Sequence, residues 1–214
     1  MARRIRKTTA RSNLISTSKR KAAVHTVDGV RYKSKSLADL HRYLRGNPLV
    51  KSFHLPSIDE DNVNTGRIKS KECTINGYKF DSLEEGRFYV YLLEQQRNGF
   101  IKEFKNQVKF NLMPAYLNKF TNKKVRPIDY IADFVITHTN GVKEAIDVKG
   151  METDVFKIKA KLFGSVYPNM KLTCYQWTEK YGSKWIDLDE LKKLRKEAKK
   201  KQTSVKIKRR KKNG

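Results

Sequence analysis

Cysteine is nearly missing from this chain: its 214 residues hold two, Cys73 and Cys174, far apart and without a CxxC neighbour. That excludes a disulfide framework or a cysteine-based zinc site, and the pair reads as free thiols of a reducing compartment. Histidine is scarce too, and His25, His41, His54 and His138 lack zinc-ligand spacing, so each reads as a surface or loop residue. No apolar run approaches the eighteen or so residues that cross a bilayer. No apolar secretory stretch follows Met1; the Arg- and Ser-rich, acid-free start suits an organellar transit peptide in composition alone.

Acid is short as well, with 22 Asp and Glu against 48 Lys and Arg, a net charge of +26. Most of the excess lies at the ends. Residues 1–26 carry eight basic residues and no acid, and residues 192–214 carry thirteen against Glu197 alone. Such segments bury too little apolar surface to offset the entropy of ordering and are expected to be disordered when free. Their expected partner is a polyanion, since neutralising phosphates releases condensed counterions without regard to sequence. Lys206-Ile207-Lys208-Arg209-Arg210-Lys211-Lys212 also has the composition of a nuclear signal, one that nucleic-acid-binding proteins of any compartment share.

Between the tails the chain fits one domain with attached segments. Residues 27–71 read as a hairpin-helix unit and linker. Val27-Asp28-Gly29-Val30 is a turn, a helix runs from Leu37 to Leu44, Gly46-Asn47-Pro48 stops it, and residues 56–71 are polar. Residues 72–191 form the main domain. Thr26 to Ser34 resembles Thr74 to Ser82 at an offset of 48, and Tyr43-Leu44 matches Tyr91-Leu92. The likeness suits either a duplicated unit or two ordinary turns. Ser82 predicts a helix cap, with Glu85 at the capping-box position. The helix runs to about Asn98, and its stripe of Phe88, Tyr89, Leu92 and Leu93 carries Glu85 near its middle. Glu85 therefore closes the box or answers some partner on the buried side.

Strands follow over Ile101 to Leu112, Tyr130 to Thr137 and Lys143 to Lys149, the last two joined at Asn140-Gly141 as a hairpin. Residues 113–127, with two prolines and several lysines, read as a loop. Residues 154–166 alternate like a strand, yet Val155, Lys159, Leu162 and Val166 share a helical face, and their Ala, Lys and Leu content favours helix. Lys171 to Trp177 is another strand, and a basic helix starts at Leu188. Helix, strand, hairpin, helix and strand make an α/β fold, a mixed β-sheet flanked by helices.

On the hairpin, strict alternation puts Ala145, Asp147 and Lys149 on one face. It likewise sets Ile131, Asp133 and Val135 against Tyr130, Ala132, Phe134 and Ile136. Acids are disfavoured in strands and cores, so Asp133, Asp147 and Lys149 need compensation. A hard divalent cation supplies it; a buried Asp–Lys salt bridge is the alternative.

Asp133 followed by Asp147-Val148-Lys149 on the next strand resembles the PD-(D/E)XK nuclease superfamily. With Phe80-Asp81-Ser82, Glu85, Gln107, Tyr130 to Phe134, Gly150 and Lys159 to Phe163, the set over residues 72–177 resembles small phage and prophage nuclease-like proteins, cousins of junction-resolving and transposon-end nucleases. The usual proline before the first acid is Ala132, and the middle acid is Asp147 rather than Glu. The resemblance implies a restriction-endonuclease-like core and a Mg2+-dependent deoxyribonuclease, with Mn2+ able to substitute. Its products would carry 5′-phosphate and 3′-hydroxyl ends, in recombination, repair, packaging or homing.

It also implies roles. Asp133, Asp147, the Val148 carbonyl and Glu85 would bind metal, and Lys149 would orient water or screen the phosphate. Lys159 would contact DNA, with Lys157 and Lys161 on the backbone and Gln107 positioning an acid or water. DNA is the expected partner, no membrane is, and cutting both strands asks for a homodimer. A phage-encoded protein would work in the bacterial cytoplasm. Two other classes suit the tails: a non-catalytic nucleic-acid-binding protein on a retired nuclease fold, and a basic ribosome- or RNA-associated protein. Neither needs paired acids.

Overall fold

The computed structural model describes residues 23–58, 72–148, 152–182 and 184–212, with side chains as far as residue 200. In chain order the elements are β1 (His25–Val27), β2 (Val30–Tyr32), α1 (Lys35–Gly46), β3 (Phe53–His54), β4 (Cys73–Ile75) and β5 (Tyr78–Phe80). Then come α2 (Leu83–Arg97), β6 (Ile101–Met113), β7 (Tyr116–Asn118), β8 (Lys123–Val125), β9 (Ile128–His138) and β10 (Lys143–Val148). The last are α3 (Asp154–Val166), β11 (Lys171–Thr178), β12 (Lys184–Asp187) and α4 (Leu188–Lys212).

A five-stranded sheet in the order β12-β11-β10-β9-β6 forms the centre. β10 and β11 run parallel, and the other neighbouring pairs are antiparallel. A parallel pair cannot close through a tight turn and needs a crossover, which α3 provides. Phe88 and Leu92 of α2 pack on one face with Phe134, Ile136, Ile146 and Val148, and Leu37, Leu40 and Leu44 of α1 extend the same core. Phe156 and Phe163 of α3 and Leu191 of α4 pack on the other, with Phe110, Tyr130, Ala132 and Ala145. The architecture is thus mixed α/β with helices on both sheet faces.

The central strands exchange faces along one rung. On β6, Phe104 joins the first core while Phe110 joins the second; on β9, Tyr130 and Ala132 join the second while Phe134 and Ile136 join the first. Pairing of Asn106 with Phe134 and Val108 with Ala132 sets Gln107 opposite Asp133 at the changeover. Gln107 has φ 51°, a left-handed conformation that interrupts strand alternation. The strict alternation expected of β9 is corrected accordingly: Tyr130 and Ala132 share their face with Val135, and Phe134 and Ile136 take the opposite one.

Two hairpin-helix units precede the sheet. β1 pairs with β2 and β4 with β5 in matching registers 48 residues apart. Both turns hold two left-handed residues, Asp28-Gly29 and Asn76-Gly77, as two-residue hairpin loops require. Ser34 and Ser82 then cap α1 and α2 alike.

Three expectations change. Residues 113–127 are no plain loop, because Tyr116, Leu117 and Asn118 pair with Val125, Lys124 and Lys123. The segment from 192, expected to be disordered, continues α4 to Lys212. Residues 154–166 are helical, but the buried stripe runs through Phe156 and Phe163 while Val155 and Val166 are exposed. The basic segment 1–22, the linker over 59–71, Lys149 and Gly150 lie outside the described residues.

Candidate functional site

The β9–β10 hairpin turns at Asn140-Gly141, where Gly141 takes φ 84°, and its register runs from Thr137↔Lys143 to Phe134↔Ile146. Continued by one rung, that register sets Asp133 opposite Asp147. Here a side chain substitutes for the ladder, as the Val148 amide donates to Asp133 Oδ2 at 2.7 Å. Asp147 is only 2 % exposed, and its Oδ2 accepts from the Tyr130 hydroxyl at 2.5 Å. Burial, reinforced by the Asp147 charge, pushes the Tyr130 phenol far above its ordinary range. Tyr130 therefore stays protonated and remains a donor to the acid.

Asp133 and Asp147 border one cavity together with Asp129, Tyr130, Phe156 and Lys159. Lys159 faces the sheet, and its Nζ donates to the Asp129 carbonyl at 2.8 Å. The Asp129 carboxylate is held below its usual range by Lys109 at 2.7 Å and Asn111 at 2.9 Å. Lys157 pairs with Asp154 at 2.8 Å on the exposed side of α3, and Lys161 is exposed. Gln107 is exposed too, on the rung of the two acids.

Glu85 sits on the other side of β10. The Glu85 amide donates to Ser82 Oγ at 3.1 Å, that hydroxyl donates to Glu85 Oε1 at 2.9 Å, and the Asp81 amide donates to Oε2 at 3.2 Å. Glu85 thus closes a variant of the capping box, reaching the amide before the N-cap instead of the N-cap's own. Burial pushes the Glu85 carboxyl upward, outweighing these hydrogen bonds, and the charges of Asp81 and Asp147 push the same way. Glu85 borders a second cavity with Glu84, Val148, Tyr175, Trp177 and Trp185. Val148 thus has one acid-lined cavity beyond each side of its strand.

Two opposed carboxylates bordering one cavity are the hard oxygen donors that suit Mg2+. The pair supplies two protein ligands. Among the described residues no three His, Cys, Asp or Glu side chains form a ready metal-holding group, and the Glu85 carboxylate is taken up by its helix cap. Tyr130 and Asp129 were missed by sequence reasoning. Strict alternation puts Tyr130 on the face away from Asp147, and only the irregular rung at Gln107 and Asp133 brings its hydroxyl to the acid.

Fold and site define a mixed α/β protein with paired acids at the end of its central hairpin. Residues 66–183 match the family model described as "Protein of unknown function (DUF1064)", and the chain belongs to that family. No curated protein and no solved structure matches it.

Proposed function

We propose that the protein is a divalent-metal-dependent deoxyribonuclease of the PD-(D/E)XK kind. The observation that carries the reading is that Asp133 and Asp147 border one cavity with Lys159, Asp133 being tied to the amide of Val148 directly after Asp147. The order α2, β6, β9–β10, α3, β11 agrees with the core that the sequence resemblance implies. Net charge of +26 agrees with a polyanionic substrate.

Asp133 and Asp147 would hold Mg2+, with the Val148 carbonyl beside them; such an ion polarises a phosphoryl oxygen and acidifies water. Tyr130 fixes the rotamer of Asp147 through its hydroxyl, and the Val148 amide fixes Asp133, so neither acid must reorganise when substrate arrives. Lys159 supplies positive charge where a phosphate oxygen would enter. Lys149, one residue beyond Val148, takes the role of orienting the attacking water by resemblance. Glu85 would reach the site only by leaving its capping box.

That last point favours a second reading, a DNA-binding protein on a retired nuclease fold, because the third acid is engaged at a helix cap. Cleavage decides between them. Asp147→Asn keeps the side chain's size and removes a charge the cation needs. It is expected to abolish hydrolysis of plasmid, linear and branched DNA in Mg2+ or Mn2+. Gel-shift affinity should stay equal or rise slightly as repulsion from the acid disappears. Ca2+ with the unmodified chain should support binding with little cutting. Cleavage at the parental rate by Asp147→Asn would refute the site. A parent chain that cuts no DNA form with any divalent cation would hand the case to the second reading.

A further inference from the structure

β7 and β8 pair with each other and, among the described residues, with no third strand, making a two-stranded ribbon between β6 and β9 in the chain. A lone ribbon usually either packs on the body of the protein or avoids apolar surface. This one does neither. Phe120 at its tip is 101 % exposed, and Tyr116 and Leu117 on the first strand are about half exposed. Lys119, Lys123, Lys124 and Arg126 lie among and after them in the sequence, and residues 114–127 contain no acid.

The tip is shaped in advance. Asn118 Oδ1 accepts from the amides of Phe120 and Thr121 at 3.0 and 3.1 Å, and Asn122 turns the chain at φ 52°. An aromatic ring held beyond all packing on an acid-free, basic ribbon has a base as its natural counterpart. Base–aromatic stacking and phosphate pairing are how single-stranded nucleic acid is held. A second copy of a chain carrying +26 would meet the same positive ribbon with repulsion.

The ribbon also springs from the acid cavity. β8 leads into β9, whose Asp129 borders that cavity. From Phe120 to Asp129 the chain can span at most about 30 Å, fewer than ten base-pair steps of about 3.4 Å.

We propose that the β7–β8 ribbon is a wedge for branched or forked DNA: Phe120 stacks on an unpaired base where the duplex opens, and Lys119, Lys123, Lys124 and Arg126 follow the flanking phosphates. The proposal names the substrate class of the hydrolase reading and rests on it for the choice of DNA. A plain duplex offers the ring no open base face, so the ribbon discriminates by structure rather than by sequence.

The test uses the full chain in Ca2+ with a Y-shaped fork and with a duplex of equal length, read by gel shift and by permanganate oxidation of a thymine at the junction. The parent should bind the fork more tightly than the duplex and protect that thymine. Phe120→Ala should lose roughly tenfold in fork affinity, lose the protection, and leave duplex affinity unchanged. Phe120→Trp should keep both. Circular dichroism confirms folding, which an uncontacted ring is not expected to affect. Equal parental affinity for fork and duplex overturns the wedge, as does a Phe120→Ala variant that binds the fork like the parent. A dimer by sedimentation that Phe120→Ala dissolves overturns it as well, because the ribbon then serves a second copy. Binding is read without cleavage, so a chain that never cuts DNA counts against the hydrolase reading alone.

Discussion

Gly86 lies where α2 passes over β4. A Cβ built there would stand 2.6 Å from Cys73 Sγ and 3.1 Å from Ile75 Cδ1. Alanine would gain about 1 kcal/mol of helix propensity, but relieving such overpacking costs about 1 to 3 kcal/mol. Gly86→Ala is therefore expected to lose about 1 kcal/mol in urea unfolding. The loss should shrink when Cys73→Ala removes the sulfur, and a double-mutant cycle reads the coupling directly. Additive losses would show that the helix simply shifts away. The Cys73 thiol is itself inert, since burial pushes it up to about 12, with Glu85 and Glu84 adding to the effect.

Other single residues were legible in part. Asp133 and Asp147 stood out, with Lys149, because strands and cores exclude uncompensated charge, and Lys159 stood out through the resemblance; Asp133, Asp147 and Lys159 border one cavity. Glu85 was legible as a box-closing residue from Ser82 three positions earlier. Tyr130 was not: a tyrosine in a strand reads as core, and its service to Asp147 depends on a left-handed glutamine on another strand. Positive φ announces itself through Gly, Asn or Asp, so Gln107 gave no sign.

Among elements, the two hairpin-helix units were readable from their Asp-Gly and Asn-Gly turns and from serine caps at an offset of 48. The first copy has Leu37, fully buried, where the second has Glu85, so only the second brings a carboxylate to β10. The first has its own electrostatic tie. Asp28 accepts a hydrogen bond from Arg45, lies 3.1 Å from His41, and its carboxyl is held below the usual carboxylate range chiefly by Arg45. A lowered folded pKa stabilises above the unfolded value and is lost as pH falls through the folded one. Asp28→Asn should thus be less stable than the parent at neutral pH, with the difference closing below about pH 4. Thermal midpoints between pH 2 and 7 read this, and a gap that persists at pH 2 would rule out ionisation as its origin.

The β7–β8 ribbon escaped the same kind of reading. Its strands are three residues long and exposed on both faces, so no alternation marks them, and Pro114 and Pro127 at its base read as loop. β12 escaped for a related reason, being four residues run directly into α4. Long β6, by contrast, declared itself through Val108, Phe110 and Leu112, and α3 through its content of Ala, Lys and Leu.

At the scale of the whole molecule, positive charge collects along the sequence toward its two ends and on the ribbon, while the acids of the site stand on the central strands β9 and β10. A polyanion would answer that excess without sequence preference, whereas beside the carboxylates of the centre it would need a cation between. Among the described residues no helix is long and apolar enough to cross a membrane. The sign of the charge was legible from composition; its arrangement around the cavities needed the fold.

The chain has two tryptophans. Trp177 and Trp185 face each other as a rung of β11 and β12, ring centres 5.5 Å apart, and both border the cavity that holds Glu85 and Val148. All indole emission therefore originates at the wall of the second cavity, beside Glu85 and across β10 from the two acids, and the unlabelled protein reports on that side of the strand. If Glu85 quits its cap when Mg2+ arrives, the emission maximum or intensity should change along a saturable titration. Asp147→Asn should flatten that curve, and Glu85→Gln should shift the starting spectrum. An emission spectrum indifferent to Mg2+ would count against any movement of this wall, and of Glu85 with it, in response to the ion.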